Sequence, residues 1–156
     1  MKNIAKLLTL STLAALAFAA FLPATARAEQ PGRHPAYLHA LEDLRHARGH
    51  LERRPGDPEV KWDENVAIRE IDAAIGEIKR ASIDDGKDLA DHPPVDVKLD
   101  YRGRLHRALE LLRKAHSDVK EKEDNNFAQG LQHRALEHID AAVNFTEQGI
   151  ANAGGR

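Results

Sequence analysis

Nine histidines stand out in a chain of 156 residues: His34, His39, His46, His50, His92, His106, His116, His133 and His138. Imidazole is the commonest side-chain metal ligand and titrates near neutral pH. The densest constellation is His39, Asp43, His46 and His50, at successive spacings of four, three and four. On a helix those spacings line up along one side. That side is nearly opposite a stripe of Tyr37, Leu41, Leu44 and Leu51, and so is expected to face solvent. His46 and His50 make the best two-point clip, and imidazole suits Cu(II), Ni(II) and Zn(II). A second cluster is His133, Glu137 and His138, of which the first two share an outer face and the third borders an apolar row. The competing reading of both clusters is a solvated polar face rich in histidine. His116 differs, because it falls between Leu112 and Val119 on an apolar stripe. It reads either as a boundary residue or as one member of a polar layer that fixes helix pairing, as a core polar residue does in coiled coils. A bis-histidine haem site using His116 is a weaker alternative.

Much other chemistry is excluded. Cysteine is absent and the only methionine is Met1. Disulfides, thiolate zinc sites, c-type haem attachment and cysteine nucleophiles are therefore ruled out. A carboxylate-bridged di-iron bundle needs Glu-x-x-His on two helices. Only Asp43-x-x-His46 approaches that shape, and it is expected to point outward. Asp84-Asp85-Gly86-Lys87-Asp88 does not fit a calcium loop, because aligning Gly86 to the sixth position puts Ala81 and Ile83 at the first and third. Beyond residue 28 only Ser82 and Ser117 are serines, and neither sits in a nucleophile elbow. No phosphate-cradling glycine loop occurs. With no nucleophile, base and orienting group in combination, an enzyme is not expected.

The elements that must carry these residues follow from the apolar spacing. Residues 1–28 read as a cleaved signal peptide: Lys2 and Lys6, an apolar run from Leu7 to Leu22, Pro23, and the small-x-small sequence Ala26-Arg27-Ala28. Residues 29–156 then form one domain of four amphipathic helices. The predicted segments are 35–53, 63–82, 101–122 and 126–150, with Pro55-Gly56-Asp57-Pro58 breaking the first pair. The stretch Ala40-Leu41-Glu42-Asp43-Leu44-Arg45-His46-Ala47 aligns with Ala108-Leu109-Glu110-Leu111-Leu112-Arg113-Lys114-Ala115, and Ile71-Asp72-Ala73-Ala74-Ile75 with Ile139-Asp140-Ala141-Ala142-Val143, both at an offset of 68. Two matches at one offset indicate a duplicated helical hairpin. The expected fold is all-α: a four-helix up-down bundle of hairpins 35–82 and 101–150, joined by linker 83–100 and running up-down-up-down.

Charge narrows the partners. Removing Lys2, Lys6 and Arg27 from the 23 basic residues leaves 20 against 25 acidic ones. That balance argues against nucleic-acid binding. After signal cleavage no membrane association is expected, which points to the periplasm or to secretion. The runs Leu44-Arg45-His46-Ala47-Arg48-Gly49-His50 and His133-Arg134-Ala135-Leu136-Glu137-His138-Ile139-Asp140-Ala141-Ala142 resemble the helical repeats of the periplasmic small metal-binding protein family. That resemblance implies binding of divalent metal such as copper on histidine-bearing helices. The expected function is thus an exported, non-catalytic bundle holding Cu, Ni or Zn. The alternative is a metal-free interaction or stress-response, chaperone-like module with a homo-oligomeric or periplasmic protein partner. It would need an exposed apolar strip, for which Phe127, Leu131 and Phe145 are the candidates.

Overall fold

The computed structural model of the protein describes residues 36–83 and 98–155. The expected signal peptide, His34, Pro35, His92 and the Asp84–Asp88 loop lie outside the described residues. Four helices are present: α1 (Ala36–Leu51), α2 (Glu64–Ile83), α3 (Tyr101–Val119) and α4 (Asn126–Gly154). Their starts follow local chemistry. Asp63 Oδ1 accepts from Asn65 N ahead of α2. Asp100 caps α3 by accepting from Gly103 N, and Asn125 caps α4 by accepting from Phe127 N. Each such cap is worth about 1 kcal/mol. The turn between α1 and α2 reverses at Gly56, whose φ of +91° is open to glycine at little cost.

Packing produces the expected four-helix bundle. Among the described residues α1 meets α2 and α3, α4 meets α2 and α3, and the diagonal pairs α1–α4 and α2–α3 do not touch. The core is a single cluster that includes Tyr37, Leu41, Leu44, Ile71, Ile78, Leu105, Leu112 and Ile139. Alanines at 40, 47, 74, 108, 115, 135 and 142, all fully buried, let the helices approach closely. Trp62 covers one end. Its ring lies against Gly149, where a Cβ would stand 2.9 Å from the indole, and its Nε1 donates to Tyr101 Oη at 2.8 Å.

Helix directions differ from simple alternation. Arg104, at the start of α3, donates to the carbonyls of His50 and Glu52 at the end of α1. Tyr37, at the start of α1, donates to Glu123 just after α3 at 2.6 Å. So α1 and α3 are antiparallel, and the order is up, down, down, up. The second hairpin is the first turned end over end. The chain leaves α2 at the end holding the α3–α4 turn and enters α3 at the end holding the α1–α2 turn. A long connector allows this, and both orders bury the same apolar stripes.

The duplication is visible in the contacts. Arg48 Nε lies 2.8 Å from Asp72 Oδ1, tying α1 to α2. Sixty-eight residues on, His116 Nε2 lies 3.4 Å from Asp140 Oδ1, tying α3 to α4. The two hairpins therefore share one interhelical pair at the same place. Both His116 and Arg48 are half-buried at the groove between two helices. That corrects the expected position of His116 within the apolar seam: the pairing is a bridge across each hairpin's edge, outside the central layer. Glu70 and His138 are also 68 apart, and they touch each other at 2.7 Å. Two equivalent residues can meet only near the axis relating the halves, so that axis passes between α2 and α4 at this pair. On the other side, Asp43 pairs with Lys114, the equivalent of His46. The axis therefore passes between α1 and α3, level with Leu44 and its equivalent Leu112.

Candidate functional site

The face carrying His39, Asp43, His46 and His50 is not the solvent face. Asp43 and His50 are each only 4 % exposed, His46 is half-buried, and His39 is exposed. Each helix of this bundle touches two neighbours, so its buried arc is wider than one stripe. The Tyr37–Leu44 row faces the centre, and the adjoining flank of α1 packs on α3. Asp43-x-x-His46 accordingly points into that seam, not outward.

Helix α3 adds two residues. Lys114 Nζ lies 2.8 Å from Asp43 Oδ2. The bond to Asp43 raises the lysine pKa. Asp118, one turn further along α3, has a carboxyl pKa raised above the usual carboxylate range. Burial is the main cause and the nearby Asp43 charge adds to it, against the opposing pull of Lys114 and His39. One oxygen of Asp118 is buried without a hydrogen-bond partner, as are His46 Nε2 and His50 Nδ1. Asp43, Asp118 and His46 thus line the seam between α1 and α3 with incomplete hydrogen bonding. Among the described residues no three His, Asp or Glu side chains converge as a ready coordination set. A bound ion would require side chains to rotate, Lys114 among them, whose side chain is 63 % exposed where it pairs with Asp43.

His50 has different surroundings. Burial depresses its pKa, and Arg54, Arg107, His46 and Arg104 depress it further. A site among three guanidinium groups does not favour a cation, so the His46–His50 clip loses its expected primacy. The depressed pKa has a consequence for stability. The unfolded histidine, with a pKa near 6.5, takes up a proton before the folded one does. Stability contributed at neutral pH is therefore lost as pH falls below about 6.5 towards the folded value. Denaturant melts at pH 7 and pH 5.5 should show His50→Leu losing less stability on acidification than the parent; an equal loss would refute this.

The second cluster is partly committed elsewhere. His133 and Glu137 are exposed and 3.3 Å apart, as the spacing predicted. His138 is half-buried and bound to Glu70. The apolar strip does not form: Leu131 is buried, Phe145 packs against the core, and only Phe127 is exposed, at 67 %. No described helix is long and apolar enough to cross a membrane.

Sequence reasoning missed Lys114 and Asp118. One signal was available, since Asp118 stands at the repeat position of His50. It was hidden because the carboxylate that Asp118 approaches, Asp43, lies on a different helix and is not its repeat equivalent, so that only the inverted packing brings the two near.

No protein-family model, curated protein or solved structure matches the chain.

Proposed function

We propose that the protein is an exported, non-catalytic helical bundle that binds a divalent transition metal, Cu(II), Ni(II) or Zn(II), in the seam between α1 and α3. The observation that carries this reading is the pair Asp43 and Asp118. Two carboxylates share a seam, with one Asp118 oxygen buried and unpartnered and the Lys114 ammonium paired to Asp43 beside it. A divalent ion would neutralise both. Asp43 and Asp118 would anchor it, and His39 and His46 would supply imidazole from the same flank of α1. His133, Glu137 and His138 form a weaker, surface alternative. The resemblance to the periplasmic small metal-binding proteins leans the same way and also supports a periplasmic location.

Calorimetric titration of the three ions tests the site. Asp43→Asn should weaken binding, and Lys114→Ala should tighten it, because the competing ammonium is gone. Affinity indifferent to both changes would sink the proposal, as would binding abolished by His133→Ala alone. Among the described residues the interaction-module reading retains Phe127 and Leu38, exposed at the end of the bundle where α1 and α4 begin, and Leu99, exposed just before α3.

A further inference from the structure

The sequence contains a single Asp–Pro bond, Asp57–Pro58, and the fold places it in the turn between α1 and α2. Asp–Pro is the peptide bond that acid breaks most readily. An aspartate side chain reaches its own carbonyl carbon through a five-membered ring. The proline nitrogen is more basic than that of an ordinary peptide and departs more easily once protonated. The fate of such a bond depends on where the carboxylate is held.

In this turn both oxygens of Asp57 are held away from that reaction. Oδ1 accepts from Arg104 Nη2, and Oδ2 accepts from the Arg54 amide at 2.7 Å. The Asp57 side chain is 9 % exposed and that of Arg104 3 %. Burial alone would raise the Asp57 pKa, but these two bonds outweigh it and keep the carboxyl below its ordinary value of 3.8. The remaining charged or titratable groups around it are Arg53 on the same turn, Glu64 on α2 and Tyr101 on α3. Pro58, by contrast, is exposed, as are Gly56 and Glu59. Water and protons therefore reach a bond whose attacking group is clamped.

We propose that Asp57–Pro58 is a self-cleavage site, kept intact by the grip of Arg104 and the Arg54 amide on the Asp57 carboxylate and broken when acid releases that grip. The stability of those bonds is complete above pH 3.8 and is lost as pH falls from there through the lower folded value. A carboxyl oxygen, giving up its proton if it carries one, then bonds to the Asp57 carbonyl carbon. The C–N bond to Pro58 breaks with its electron pair on nitrogen, which takes a proton from the acid and leaves as a secondary amine. Water opens the cyclic anhydride on Asp57 to two carboxyl groups, so one water is consumed overall. Cleavage would sever α1, with His39, Asp43 and His46, from the other three helices. The chemistry depends on neither the metal reading nor the export reading.

The test is intact-mass spectrometry of the full chain, incubated with and without guanidinium chloride at the lowest pH where circular dichroism still shows the folded bundle. Two fragments parting between residues 57 and 58 are expected, with masses summing to the chain plus one water. The denatured chain should cleave at least about tenfold faster than the folded one, the factor that one hydrogen bond to a charged group represents. Arg104→Gln drops the charge beside Asp57, and Arg104→Lys keeps it without the planar fork. Both should cleave faster than the parent while folded, Gln more than Lys. Tyr37→Phe loosens the far end of the bundle without touching the turn and should cleave at the parent's rate. Asp57→Asn should not cleave. Equal rates for folded and denatured parent, no acceleration in either Arg104 variant, equal acceleration by Tyr37→Phe, or cleavage surviving in Asp57→Asn would overturn the proposal.

Discussion

Replacing Arg104 with leucine is expected to cost about 3–5 kcal/mol, the penalty for breaking a buried charge pair by removing one partner. The side chain is only 3 % exposed. It donates to the carbonyls of His50 and Glu52 at 3.1 and 3.0 Å and to the carboxylate of Asp57. Three acceptors would lose their donor together. Burial alone would raise the Asp57 pKa, but the Arg104 bond and the Arg54 backbone amide hold it below the ordinary carboxylate range. Removing Arg104 takes away one of those supports and leaves the burial. Thermal melts should shift downward by roughly 10–20 °C. Arg104→Lys should fall between the two, because an ammonium keeps the charge without the planar fork. A shift of a degree or two for Arg104→Leu would mean that the latch contributes little. Tyr37 and Glu123 form the matching latch at the opposite end, so each hairpin's turn is held by the first turn of the other hairpin's leading helix.

Truncating the core beside the axis comes next. Leu44 and Leu112 are repeat equivalents, and both are fully buried. Leu44→Ala and Leu112→Ala should each destabilise by about 2.7–5 kcal/mol, the sum of lost transfer energy and an incompletely collapsed cavity. Their costs should resemble each other, because the two residues occupy equivalent environments. Urea unfolding of both variants measures this. One costly truncation beside a near-neutral one would show that the halves have diverged in their packing.

The sequence carried the helices and the repeat because both are written locally. Ile68, Ile71, Ile75 and Ile78 recur with helical spacing, and the partners of the first three, Leu136, Ile139 and Val143, return 68 residues later with the same apolar character. The relative direction of the hairpins was not legible, since an amphipathic stripe reads the same from either end. The polar seam was misread for a related reason. A stripe marks the residues facing the centre, but says nothing of the flank that a second neighbour covers, which is where Asp43 and His50 lie. Arg104 and Glu123 carried no signal at all. Their partners are 47 and 86 residues away, and only the inverted packing brings them together.

The end-over-end relation of the halves also determines how the bundle would carry a load. Ala36 and Gly154 lie at opposite ends, on helices that do not touch. A pull applied through both reaches the far side only by way of α2 and α3. The strain would run lengthwise, sliding packed helices past one another instead of peeling a hairpin open. A tether fastened at both ends would therefore meet the whole interior at once.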